Sequence, residues 1–152
     1  MRRLTITLIA FLLLSVYALA QKPAAKPAVV ELKKLLTATG LPYRMTSDSL
    51  ASIPYGGQNV ESYNVIVQKV SDLYIIYTNL SEVLPGKLNS EKYKYLLEQN
   101  NHFDIVKIGI SSDDTIVYLR ADVYRSGLTA ALLKRIITQV GNVTNIIAGD
   151  LK

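Results

Sequence analysis

The chain has 152 residues, a formal net charge of +5, about half hydrophobic residues and no cysteine. That length supports one domain with a sizeable core, and the composition excludes a disordered chain or a disulfide-stapled mini-protein. The absence of cysteine also removes disulfides, thiol catalysis and thiolate metal ligands.

The first twenty residues read as a secretory signal peptide. Met1-Arg2-Arg3 gives a positive start, residues 4–16 are mostly apolar, and Ala18-Leu19-Ala20 offers a small-x-small cleavage site before Gln21. The apolar run is shorter than the roughly 20 residues of a spanning helix, so the chain is not expected to span a membrane once the leader is removed. The expected location is a bacterial periplasm or the extracellular space. Removal of Arg2 and Arg3 with the leader lowers the formal balance to +3. Residues 21–27 (QKPAAKP) form a short Pro- and Ala-rich tether, and residues 28–152 are expected to make a single domain.

From Ala28 the pattern changes. Val29, Leu32, Leu35 and Leu36 recur at helical spacing, and Gly40 followed by Pro42 is a stop signal, so the first helix is expected over 28–39. An antiparallel meander follows. Residues 43–46 form a short extended piece, 50–55 a strand, and Gly56-Gly57-Gln58-Asn59 the strongest turn cluster in the chain. Residues 62–70 and 73–80 then flank a Ser71-Asp72 turn, and Pro85-Gly86 closes the block. These strands are apolar on both faces, so one face is expected to meet helices and the other to be partly covered.

A second helix is expected from Asn89-Ser90 to Asn100-Asn101, with Leu88 and Tyr93 placed as a hydrophobic staple. Residues 104–111 and 115–124 pair as a hairpin around Ser112-Asp113-Asp114. Val106, Ile108 and Ile110 alternate on one arm, and Val117, Leu119, Ala121 and Val123 on the other; these are the core-facing sets. The opposite face carries Ile116, Tyr118, Arg120 and Asp122. The last helix opens near Thr129 with a Leu128–Leu133 staple, and Gly141 is a candidate kink or end. The order α-βββ-α-ββ-α describes an α+β domain with helices packed mainly on one face of an antiparallel sheet.

Particular segments strengthen that reading. Residues 61–67 (ESYNVIV), the helix exit LLEQNN at 96–101, the returning strand FDIVKIGI at 103–110, VYLRADV at 117–123 and the helix opening Gly127-Leu128-Thr129 together resemble the YbjN-type sensory-transduction-regulator family. Its fold is similar to that of the class I type III secretion chaperones. The resemblance covers roughly residues 28–148. It implies a domain that pairs with itself and holds other polypeptides, and it brings no catalytic residues with it. The leader peptide is a departure, because secretion chaperones act in the cytoplasm.

Chemistry-bearing patterns are sparse. His102 is the only histidine, and beside Asp104 it would make at most a base oriented by a carboxylate. A histidine at a helix end, near the negative pole of the dipole, is the plainer account. Asp113-Asp114 lacks the spacing of a calcium loop and suits a turn. Gly56-Gly57 lacks the Gly-Lys-Ser/Thr ending of a phosphate loop. The basic clusters Lys33-Lys34, Lys92 with Lys94, and Lys134-Arg135 lie on three separate helices rather than in a nucleic-acid-binding stripe. No enzyme, metal, cofactor or nucleic-acid partner is therefore expected.

Tyrosine stands out, at ten residues, with Tyr63, Tyr74, Tyr77, Tyr118 and Tyr124 on expected strands. Its apolar ring and polar tip suit a surface that is partly wet and partly covered. The expectation is an exported, non-enzymatic protein- or peptide-binding module, self-associating as a homodimer, with Tyr63, Val65, Tyr77, Ile116 and Tyr118 on the partner-binding or dimer surface. A binder of a small ligand or envelope polymer, using a pocket between sheet and helices, is the alternative. A hydrolase centred on His102 and Asp104 is a distant third.

Overall fold

A computed structural model describes residues 31–84, 88–111 and 116–152. The expected signal peptide, tether, Pro85-Gly86 turn and Asp113-Asp114 hairpin tip lie outside the described residues. In chain order the elements are α1 (Leu32–Thr39), β1 (Arg44–Ser47), β2 (Leu50–Tyr55), β3 (Tyr63–Val70), β4 (Leu73–Asn79), α2 (Leu80–Val83), α3 (Ser90–Gln99), β5 (Lys107–Ile110), β6 (Val117–Tyr124) and α4 (Ala130–Asp150). The six strands form one antiparallel sheet in the order β1-β2-β3-β4-β6-β5.

Local chemistry sets the boundaries. Gly40 ends α1 in the left-handed region, at φ 70°, which a residue without Cβ adopts cheaply. Asn89 Oδ1 accepts from the Lys92 amide at 2.9 Å, and Thr129 Oγ1 accepts from the Leu132 amide at 3.2 Å, so α3 and α4 each begin on a side-chain cap. Ser71 turns β3 into β4 with φ 51°.

Three expectations are corrected. The 43–46 piece is a full strand, so four strands rather than three precede the next helical element. Strand β4 stops at Asn79, because its side chain caps a short helix, α2, accepting from Ser81 N at 3.0 Å. Gly141 does not end α4, which runs 21 residues; the glycine makes room for the Tyr55 ring, 2.3 Å from where a Cβ would stand.

The core lies between the sheet and the α1–α4 pair. Leu36, Ile53, Val65, Val67, Tyr74, Ile76, Leu119, Leu133, Ile137 and Ile147 are all buried there. No helix among the described residues is long and apolar enough to cross a membrane.

Candidate functional site

Antiparallel register places one set of side chains on the face of the sheet away from α1 and α4. Ile66 of β3 lies opposite Tyr77 of β4, and Tyr77 opposite Arg120 of β6. The next row is Gln68, Ile75 and Asp122; the last is Val70, Leu73 and Tyr124. Because side chains alternate along each strand, these rows share the open face; all are half-buried or exposed, and Val65, Val67, Tyr74, Ile76, Leu119 and Ala121 between them are buried.

A groove of about 730 Å³ runs over this face. Ile66, Ile75, Tyr77, Ile116 and Tyr118 give it an apolar floor, while Asn64, Gln68, Asn79 and Arg120 supply polar groups. One end is walled by Glu82 and Val83 of α2 and by Ser111. That wall is tied down: Asn79 Nδ2 donates to Glu82 Oε1 at 2.8 Å, and the Val117 amide donates to Ser81 Oγ at 2.8 Å. Apolar floor with a few amides and one cation is the make-up of a surface that takes partly apolar partners.

Two groove residues are held in place by neighbours. The Tyr118 ring lies across the bare backbone of Gly109, where an added Cβ would stand 2.7 Å from it. Arg120 is gripped by Asp122 through two bonds, Nε to Oδ1 at 2.6 Å and Nη2 to Oδ2 at 2.8 Å. That hydrogen-bonded carboxylate raises the guanidinium's affinity for its proton further.

The five residues expected on a partner surface do not all meet. Tyr77, Ile116 and Tyr118 come together in the groove. Val65 is fully buried on the opposite face, and Tyr63 is 7% exposed, touching only the groove's margin. The cause is register: Val65 pairs with Ile53, and Tyr63 with Tyr55, on the side that meets α4. The Tyr63 hydroxyl donates to Gly141 O at 2.6 Å, and burial, aided by the Tyr55 hydroxyl, pushes its pKa up to about 12. Sequence reasoning passed over Ile66 and Ile75. The polar pair Asn64 and Gln68 flanking Ile66 was the signal for the open side of β3.

Other candidates stay apart. His102 and Asp104 are both exposed, and no hydrogen bond joins them. Among the described residues no three of His, Cys, Asp and Glu gather as a metal site would require.

No protein-family model matches the sequence, and no curated protein is recognisably similar to it. Solved structures do match. A chain of the heterodimeric ExoU–SpcU complex from the type III secretion system of Pseudomonas aeruginosa superposes with a TM-score of 0.56 at 15% identity, over 80% of this chain and 98% of that one. The ExsC–ExsE complex gives 0.57 at 16% identity, over 80% and 97%. YbjN from E. coli gives 0.52 at 8% identity, over 80% and 91%. The fold is that of YbjN and the type III secretion chaperones. At such identities the likeness lies in the arrangement of sheet and helices.

Proposed function

We propose that this chain is a non-enzymatic, chaperone-like module that holds protein or peptide segments on the open face of its sheet. The observation that carries the reading is the groove itself: an apolar floor of Ile66, Ile75, Tyr77, Ile116 and Tyr118 that no helix among the described residues covers, rimmed by amides able to bond a peptide backbone. A strand-like or helical segment would bury apolar side chains on the floor while Asn64, Gln68 and Asn79 take its polar groups. The fold neighbours support the reading, since two of them were solved as complexes of two proteins, ExoU–SpcU and ExsC–ExsE.

Export and self-association complete the proposal. The leader-like residues 1–20 support a working domain in the periplasm or outside the cell. Pairing as a homodimer is favoured by the apolar side chains left exposed at the far end of the open face, Val70 at 40% and Tyr124 at 67%. Membrane fractionation with mass spectrometry of the mature N-terminus checks export, and light scattering on the mature chain checks pairing. A strict monomer at micromolar concentration overturns the dimer.

The groove reading is tested with an array of random peptides. Wild type should favour peptides rich in aliphatic and aromatic residues, and Tyr77→Asp with Tyr118→Asp should abolish that preference while leaving the helical circular dichroism intact. Equal binding by the double variant overturns it. A small ligand is the second reading, favoured by the groove volume, which falls in the usual range for ligand pockets of roughly 300–1,000 Å³.

A further inference from the structure

An open sheet has two edges, and each unpaired edge offers N–H and C=O groups to any passing strand. Edge strand β1 is only four residues long, and its register slips between Met45 and Ser47, both of which discourage pairing. Edge strand β5 is equally short but has no such slip. It is regular, paired to β6 from Lys107 to Ile110.

The defence of β5 comes from the turn after α3. Asn100 Oδ1 accepts from the Ile108 amide at 2.6 Å, and Asn100 Nδ2 donates to the Ile108 carbonyl at 3.1 Å. A carboxamide carries one acceptor and one donor side by side, as a peptide unit does. Asn100 therefore stands where one residue of a seventh strand would stand. The turn that presents it is pinned in turn by Lys107, whose Nζ donates to Asn100 O at 2.8 Å and to Phe103 O at 2.6 Å. With Ile108 occupied, the alternation of an antiparallel ladder leaves Ile110 as the other outward-bonding residue of β5, too little for a strand to dock on.

We propose that Asn100 is an edge lock, closing β5 against the strand of a second copy of this chain, so that partners are taken on the sheet face and not through this edge. The lock is separate from the groove reading: one concerns backbone bonding at β5, the other side chains over β3, β4 and β6.

The test compares wild type with Asn100→Ala by amide hydrogen exchange at Ile108 and by sedimentation velocity. Folded N100A should exchange the Ile108 amide roughly tenfold faster. It should also form species larger than the wild type's own state, growing with concentration. Adding Ile110→Pro, which removes the other outward N–H, should return the size to that of wild type. Unchanged exchange at Ile108 overturns the lock, and so does faster exchange without association. Should N100A fail to fold, Asn100→Asp decides. It keeps the acceptor for Ile108 N–H and loses the donor to its carbonyl, so exchange stays slow while association lies above wild type; N100D at wild-type size overturns the proposal. Peptide binding in the groove should survive all three variants, so a failed lock and a failed groove give different results.

Discussion

Ile75 and Ile76 are chain neighbours in β4 and live in different surroundings. Ile76 is fully buried beneath α4, whereas Ile75 lies half-covered on the groove floor. The same contrast separates the two faces of the whole sheet. One face is packed by helices and decides whether the chain folds; the other keeps comparable apolar side chains at a water boundary. Apolar residues on the packed face are explained by stability. On the open face that explanation is weaker, which is why function is sought there.

Ile76→Ala should cost about 2–5 kcal/mol, as buried aliphatic truncations do when the site collapses only partly. Ile75→Ala should cost under about 1 kcal/mol. Urea unfolding of the two variants measures both. Equal losses would mean that the open face is core in all but name.

Gly141→Ala puts a Cβ 2.3 Å from the Tyr55 ring, and that ring is anchored by its hydroxyl to Thr138 Oγ1 at 3.3 Å. Overpacking of this kind costs about 1–3 kcal/mol, offset in part by alanine's helix preference of about 1 kcal/mol. A net loss is expected, relieved when Tyr55→Leu is added; thermal unfolding of the single and double variants checks it.

How much of this was legible depends on how many forces agreed at each position. At Asn89 and Thr129 a capping side chain, a staple and the onset of helical periodicity coincide, and both helix starts were read correctly. On β6 the polar Arg120 and Asp122 interrupt the apolar run, so its faces were assigned correctly as well. On β3 the apolar residues fall on both sides, and Tyr63 and Val65 were placed on the wrong one. Pairing with Ile53 and Tyr55 decides that face, and such partners are distant in sequence. The arm before β5 misleads differently. Val106 is buried and fits the alternation, yet ladder pairing begins only at Lys107, because the turn held by Lys107 Nζ uses the preceding residues. Hydrophobic period reports burial, and burial does not require a strand.

A third measurement concerns pH. Tyr63 and Tyr95 are both pushed up to about 12 from an ordinary 10, each chiefly by burial, with Tyr95 also bonded to Asp150. A raised folded-state value means the native state holds the proton more tightly than the unfolded chain. The associated stability is complete below pH 10 and is lost as pH rises from 10 through 12. Tyr63→Phe removes the bond to Gly141 O, costing about 1 kcal/mol at neutral pH, and should shallow the alkaline decline. Denaturant titrations between pH 8 and 11 read both.

The smallest expected effect on folding belongs to Arg120. Its bonds to Asp122 are short and paired, yet both side chains are more than a third exposed, so the ion pair should contribute about 0.5 kcal/mol or less. Arg120→Ala should therefore leave the urea midpoint nearly unmoved while altering which peptides the groove accepts, because Asp122 would then face the partner without its counter-ion. Asp122→Asn should leave stability equally untouched and shift peptide preference towards acidic sequences, since the guanidinium loses its internal carboxylate. If both variants lost stability and neither changed peptide preference, Arg120 would belong to the fold, and the division between a packed face and a working face would fail at the residue where it is most finely drawn.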